Sequence, residues 1–183
     1  MRLVWLVAVL LSVAISLSNR PALALDVPVH DCDHLAAHPE DGNRVAPGLH
    51  WNQLDPSLVI PACEAAFKTY PNISRFEFQY GRGLHKAGRY EEAASHYRAI
   101  AAKGYAAAQN NLGSFYYKGK GTPQDKAEAA RWYRKAADQG YARAQYNLGG
   151  MHEKGAGVLQ DKAEAAKWYR KAADQGDARA QFT

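Results

Sequence analysis

The sequence lacks most of the patterns that would assign a catalytic or a nucleic-acid-binding function. No serine has Lys three residues after it, no Gly-x-Ser-x-Gly occurs, and His152-Glu153 lacks the second histidine of a zinc-protease motif. The charge is nearly balanced, with 23 Lys and Arg against 18 Asp and Glu. Outside residues 25–72, no alternation of apolar and polar residues predicts a strand. We therefore expect an all-α protein that is not an enzyme and binds neither nucleic acid nor a cofactor.

Residues 1–24 have the three parts of a secretory signal peptide. A short basic start precedes the uncharged apolar stretch Leu3–Leu17, and Ala22-Leu23-Ala24 matches the small-residue motif at which such signals are cleaved. The apolar stretch is shorter than the roughly 20 residues that span a bilayer. We therefore expect an exported protein, periplasmic or secreted, with no membrane span after cleavage. Loss of Arg2 and Arg20 leaves 21 basic and 18 acidic side chains, a net charge of +3.

Residues 25–72 form an irregular leader that contains both cysteines of the chain. Six of the eight prolines and four of the seven histidines fall here, and this composition is typical of loops. Pro61 and Pro71 predict the start and the stop of a helix at Pro61–Tyr70. Since an isolated cysteine pair in an oxidising compartment is most simply a disulfide, we expect Cys32 and Cys63 to be joined.

The sequence HDCDHLAAH within the leader allows a metal site as an alternative. His34 and His38 are one helical turn apart, with His30 or Cys32 nearby as a further ligand. However, Asp31 or Asp33 equally suits the cap of a short helix over 34–38, and Cys32 suits the disulfide. The fourth ligand is undefined, so we predict no metal.

The remainder of the chain is a tandem repeat. Residues 108–143 and 144–179 align without a gap and are identical at 26 of 36 positions. Residues 75–107 are a shorter copy of tetratricopeptide-like length, and residues 180–183 read as the start of a further unit. A repeat of this period predicts an αα-hairpin solenoid, in which each unit packs against its neighbours. The last repeat then leaves a face at Trp168 without a following repeat. We expect this face to be covered by other residues or to bind a further copy of the protein, unless the chain is truncated.

The two full repeats also show where their helices begin, end and pack. Asp125 and Asp161 lie three residues before a glutamate, the spacing of a helix cap, and Gly140 and Gly176 stand where the second helices should stop. Gly113 is expected to allow a close helix contact. The residues predicted to be buried in the second helices are Ala129, Ala130, Tyr133, Ala136 and Ala137, and likewise Ala165, Ala166, Tyr169, Ala172 and Ala173.

The repeats resemble the Sel-1-like repeat family. The shared pattern is A-x3-LG-x2-Y-x2-G-x-G-x3-D-x3-A-x2-W-x2-KAA-x2-G, which runs from Ala108 to Gly140 and again from Ala144 to Gly176, with His152 in place of its tyrosine. The leader resembles the cysteine-containing front end of some exported proteobacterial proteins with such repeats. The resemblance implies a right-handed αα-superhelix that acts as an adaptor beside sensor proteins or polysaccharide machinery.

Comparison of the two full repeats suggests which residues bind a partner. Their second helices are almost identical, whereas their first helices differ at three positions on one face: Asn110 against Tyr146, Ser114 against Gly150, and Tyr117 against Glu153. If the first helices line the concave side, as the family implies, these six residues face a partner. The alternative is neutral drift on a solvent-exposed face.

Three functions remain open from the sequence. We favour an adaptor that binds another envelope protein through its concave face. The first alternative is an envelope hydrolase, active on peptidoglycan or a β-lactam, although the absence of Ser-x-x-Lys argues against it. The second is a structural module that binds further copies of itself through its C-terminal repeat.

Overall fold

A computed structural model describes residues 29–42, 44 and 46–182, which fold entirely into helices, turns and loops. The α-helices, in chain order, are α1 (Asp31–Ala36), α2 (Pro56–Thr69), α3 (Ser74–Lys86), α4 (Tyr90–Ala102), α5 (Ala106–Lys118), α6 (Lys126–Asp138), α7 (Ala142–Lys154) and α8 (Lys162–Asp174). Short 3-10 helices cover Trp51–Gln53 and Ala180–Phe182. The all-α prediction is confirmed. The expected signal peptide lies outside the described residues, and no helix within them is long and apolar enough to cross a membrane.

The helices form a solenoid of antiparallel hairpins. The pairs α3–α4, α5–α6 and α7–α8 each pack as a hairpin, and α4 and α6 pack in addition against the first helix of the next hairpin. In the same way, α2 packs against α3, so it takes the place of a second helix in a degenerate leading repeat. Each unit therefore contacts mainly its neighbours along the chain, as the repeat predicts.

Capping side chains fix the start of the second helices, as the sequence predicts. Asp125 accepts a hydrogen bond from the Glu128 amide at 2.9 Å, and Asp161 caps the equivalent position of α8. The Glu128 carboxylate in turn accepts from Arg131 Nη1 at 2.9 Å on the helix surface. After α6 the chain turns at Gly140, whose φ of 85° lies in the left-handed region that favours glycine.

Glycines in the first helices allow the two helices of a hairpin to approach closely. A Cβ placed on Gly113 would lie 2.9 Å from the ring of Tyr133, and one on Gly149 would lie 2.8 Å from the ring of Tyr169. The small residues predicted for α6 are buried, with Ala129 and Ala136 fully inaccessible. The predicted close contact at Gly113 is therefore present.

The last hairpin departs from the predicted burial. Ala166 is exposed, and Tyr169 and Ala173 are only half-buried. The reason is that α7 covers the outer side of α6, whereas only the short Ala180–Phe182 helix packs beyond α8 within the described residues. Trp168, in contrast, is only 5% exposed and packs into the core formed by α6 and α7. The open face of this hairpin is thus at Ala166, and the prediction that placed it at Trp168 is wrong.

A pair of glutamines ties each full repeat to the preceding hairpin. Gln139 Nε2 donates to Gln109 Oε1 at 2.7 Å, and Gln109 Nε2 donates to the carbonyl oxygen of Ala101. Gln175 and Gln145 repeat the first contact at the same distance. Gln109 and Gln145 are buried, whereas Gln139 and Gln175 are exposed, and the sequence pattern did not single out these contacts between hairpins.

The disulfide between Cys32 and Cys63 is present and joins α1 to α2. The helix expected at Pro61–Tyr70 instead begins at Pro56, because Asp55 caps it by accepting from the Ser57 amide at 2.9 Å and Pro56 suits its first position. Pro61 consequently lies inside α2.

The short helix that was expected over 34–38 begins earlier, at Asp31, and ends at Ala36. His30 caps it, with the imidazole accepting from the Cys32 amide, while the Asp33 carboxylate accepts from the His30 amide. Asp33 is also buried against Arg75, whose Nε lies 3.0 Å from its carboxylate. The disulfide joins the two helices of the leader, and this buried ion pair holds α1 on α3.

Candidate functional site

The first helices of the three hairpins share one groove of about 800 Å³. Its walls come from α3, α5 and α7, with Tyr133 and Tyr169 contributed by the second helices α6 and α8. The leader forms a further wall through residues 38–40 and 50–52. We refer to this space as the groove.

All six residues that were predicted to bind a partner line the groove. Asn110, Ser114 and Tyr117 do so from α5, and their counterparts Tyr146, Gly150 and Glu153 do so from α7. The first helices therefore present these six residues to one common space. Binding of a partner at these residues stays a prediction.

Tyrosines and a glutamate form the C-terminal end of the groove. The Tyr169 hydroxyl donates to Glu153 Oε2 at 2.9 Å, and the Tyr169 ring packs against Tyr146 with centroids 5.3 Å apart. The guanidinium of Arg179 lies 4.3 Å above the Tyr146 ring. Burial raises the pKa of Tyr133 to about 12.

Asparagine side chains link α5 to α7 across the groove. Asn147 Nδ2 donates to Asn110 Oδ1 at 2.9 Å, and Asn110 Nδ2 lies 3.4 Å from Asn111 Oδ1. Primary amides offer both donors and acceptors, which suits them to the backbone of an extended peptide as well as to one another.

The wall formed by the leader was not predicted from the sequence. Arg82 donates from Nη2 to the Leu49 carbonyl oxygen at 3.1 Å and from Nη1 to that of Ala36. Lys86 Nζ donates to the Trp51 carbonyl oxygen at 3.0 Å. Since the partners are more than 30 positions apart in sequence, only the tertiary fold could reveal these contacts.

Two histidines at this end of the groove are neutral at physiological pH. Burial, with the nearby charges of Arg82 and Arg143, lowers the pKa of His38 to about 3. Burial also lowers the pKa of His85 to about 4, and its ring packs against Trp51 and Phe115 with centroids 4.6 and 4.7 Å away. These rings therefore add no positive charge to the groove.

The fixed charges of the groove are mostly basic. Its lining includes five basic and two acidic side chains; they are Arg82, Lys118, Arg143, Lys154 and Arg179, against Glu40 and Glu153. Because Arg179 is ion-paired with Asp177, the excess is two positive charges. Such a surface attracts an anionic segment.

The alternative metal site has lost ligands to other contacts. Cys32 is bonded to Cys63, and the His30 imidazole accepts from the Cys32 amide as the cap of α1. Within the part of the chain that the structure describes, no group of three or more His, Cys, Asp and Glu side chains is placed to hold a metal ion.

Comparison with known proteins agrees with the repeat geometry. A sequence profile for the Sel1 repeat matches residues 106–141 and 142–177, which are the α5–α6 and α7–α8 hairpins with the turns that follow them. These two hairpins are Sel1 repeats. The hairpin α3–α4 and the leader lie outside the matched residues, and a comparison with curated protein sequences finds no match.

Solved structures with similar folds include Sel1 and SLR proteins. A Sel1 repeat protein from Oxalobacter formigenes is 45% identical over 58% of this chain, with a TM-score of 0.56. A protective antigen of uropathogenic Escherichia coli strains that displays an SLR fold is 33% identical over 69% of this chain, with a TM-score of 0.62. This chain spans 42% and 27% of the lengths of these two proteins.

The cysteine rich protein B of Helicobacter pylori supports the fold alone. It is 21% identical over 69% of this chain, which covers 98% of the Helicobacter protein, with a TM-score of 0.54. In the present chain the Sel1 repeats contain no cysteine, and the disulfide joins α1 to α2 within the leader.

Proposed function

We propose that the protein is a non-enzymatic adaptor of the bacterial cell envelope that binds a segment of another envelope protein in the groove. Sel1 repeats are modules of protein–protein interaction, and repeat solenoids in general bind partners on extended concave surfaces. One observation supports this role most directly. Residues 108–118 and 144–154 differ at five positions, and three of these pairs, Asn110/Tyr146, Ser114/Gly150 and Tyr117/Glu153, line the groove from both repeats, while the second helices that pack the fold are nearly identical.

The envelope location rests on the signal-like residues 1–24 and agrees with the disulfide in the leader. Disulfides persist in oxidising compartments such as the periplasm and are rare in the cytosol. Within the envelope, we propose that the bound protein belongs to a sensor or polysaccharide system.

Capture of partners from an envelope fraction tests the role of the groove. The purified protein and its Tyr117→Ala variant are used as bait, with Arg170→Ala as a matched control because Arg170 is exposed on α8 outside the groove. We expect a specific envelope protein to be retained by the wild type and by the Arg170 control and lost from the Tyr117 variant. Equal capture by all three proteins, with the helical content unchanged, would argue against the groove as the binding site.

The two alternative functions have direct tests. Turnover of a β-lactam or of peptidoglycan by the purified protein would favour the hydrolase, whereas we expect none, because the Sel1 repeat is a non-catalytic scaffold. Sedimentation equilibrium separates the adaptor from the self-associating module. We expect a monomer, and a concentration-dependent dimer that is lost on Ala166→Glu would favour self-association through the exposed face of α8.

A further inference from the structure

Arg143 connects the leader to the groove through an exposed ion pair. Its Nη2 donates to Glu40 Oε1 at 2.9 Å, and the side chains of Arg143 and Glu40 are 38% and 44% exposed. Ion pairs with this much exposure to water contribute little net stability. A carboxylate from another molecule can therefore replace Glu40 at small cost.

The leader satisfies the guanidinium of Arg143 only in part. The Arg143 Nε is buried without an acceptor among the described residues. Its Nη1 lies 3.4 Å from His38 Nε2. Because His38 Nδ1 accepts from the Glu40 amide, Nε2 carries the proton in the neutral ring and cannot accept from Arg143. Within the leader, Arg143 therefore donates to one carboxylate oxygen, that of Glu40. A guanidinium can bind a carboxylate through two of its nitrogens, so Arg143 can bind a carboxylate more fully than it binds Glu40.

The rest of the leader is held by contacts that do not depend on Arg143. Arg82, which is 1% exposed, binds the carbonyl oxygens of Ala36 and Leu49, and the disulfide fixes Cys32 to α2. Replacement of Glu40 consequently requires movement of one side chain and leaves the fold intact.

The remainder of the groove suits an acidic segment in an extended conformation. Lys118 and Lys154 lie along it on α5 and α7, next to Asn147 and the tyrosine rings. With the excess of two positive charges, these groups complement carboxylates and a peptide backbone.

We propose that the groove binds an extended acidic peptide segment, one carboxylate of which takes the place of Glu40 on Arg143. Glu40 then acts as an intramolecular competitor for the partner. This inference rests on the proposed adaptor function and names the chemistry of the segment that the adaptor recognises.

Fluorescence anisotropy of a labelled peptide composed of Glu, Asp, Ala and Ser tests the competition. We expect Glu40→Gln to tighten binding by up to about fivefold, because that factor corresponds to the upper range for an exposed ion pair. We expect Arg143→Gln to weaken binding by roughly ten- to a hundredfold, the range for hydrogen bonds between charged groups. Arg170→Gln, which makes the same charge change outside the groove, should alter the affinity by less than about twofold.

The double variant separates competition at Arg143 from a general effect of charge. If Glu40 competes for Arg143, then Glu40→Gln should have no effect in a protein that already carries Arg143→Gln. An equal gain in both backgrounds would overturn the proposal. So would tight binding of a peptide in which Gln and Asn replace Glu and Asp, or binding of an anionic polysaccharide when the acidic peptide does not bind.

The capture experiment distinguishes failure of this inference from failure of the adaptor function. Excess acidic peptide should release an envelope partner from the wild-type bait. Suppose that Tyr117→Ala abolishes capture of a partner, whereas neither the peptide nor Arg143→Gln affects it. This result would support the adaptor function and would refute the proposal that the groove binds an acidic segment.

Discussion

Two adjacent glycines in α7 provide a direct test of how the hairpins pack. A Cβ on Gly149 would lie 2.8 Å from two carbons of the Tyr169 ring, closer than a side chain tolerates. A Cβ on Gly150 would meet only the Tyr169 hydroxyl at 3.4 Å, an ordinary contact. Serine already occupies the position equivalent to Gly150 in the preceding repeat, at Ser114. Substitution by alanine should therefore lower the stability of the protein at Gly149 and raise it at Gly150.

The magnitude follows from two opposing contributions. Gly→Ala in a helix interior stabilises by about 1 kcal/mol, and this gain is common to both variants because the residues are neighbours in one helix. Overpacking of a contact costs about 1–3 kcal/mol and applies to Gly149 alone. Tyr169 resists displacement, since its hydroxyl binds Glu153 and its ring packs on Tyr146. We expect Gly149→Ala to be less stable than Gly150→Ala by about 1–3 kcal/mol.

Urea unfolding followed by circular dichroism measures this difference, provided that both variants unfold with the same dependence on urea. In a Tyr169→Leu background the ring carbons are gone, so the difference between the two alanine variants should shrink toward zero. If Gly149→Ala is as stable as Gly150→Ala in the wild-type background, the close approach of α7 and α8 is not a constraint and the reasoning fails.

Three further predictions concern pH, the disulfide and a helix cap. The pKa of His38 is lowered from 6.5 to about 3, so its contribution to stability is fully present above pH 6.5 and is lost as the pH falls toward 3. Between about pH 8 and about pH 5 the free energy of unfolding should fall by ~2 kcal/mol because of His38, which lies near the charges of Arg82 and Arg143. In the His38→Asn variant this fall should be smaller by the same ~2 kcal/mol. The Cys32–Cys63 bond closes a loop with a sequence separation of 31, so its reduction should lower the free energy of unfolding by ~4 kcal/mol on the chain-entropy estimate, and an unchanged urea midpoint in the reduced protein would contradict this. Asp125→Ala should cost about 1 kcal/mol, because it removes the acceptor for the Glu128 amide. Asp174→Ala at the exposed end of α8 serves as its control, and an equal loss in both variants would argue against the cap.

Local patterns in the sequence were sufficient to predict much of the repeat region. The Asp125 cap, the stop at Gly140 and the close contact at Gly113 each depend on residues within one hairpin, so their geometry follows from helix periodicity and steric fit. Comparison of the two repeats likewise predicted positions such as Tyr117 and Glu153 that share the groove wall. α2 begins five residues before the predicted start at Pro61, because Asp55 provides the capping carboxylate and Pro56 the first-turn proline.

The sequence by itself determined the all-helical class, the period of the solenoid and the residues that pack the α5–α6 hairpin, since all of these depend on contacts that recur at short, regular spacing. Only the tertiary structure decided how the leader lies against the repeats. The contacts of Glu40 with Arg143 and of Leu49 with Arg82 join residues 103 and 33 positions apart, and the leader does not repeat. In a periodic sequence the contacts between one repeat and the next recur at a fixed spacing, so the sequence predicts how the repeats stack. An irregular segment is positioned by single long-range contacts, which no sequence spacing predicts.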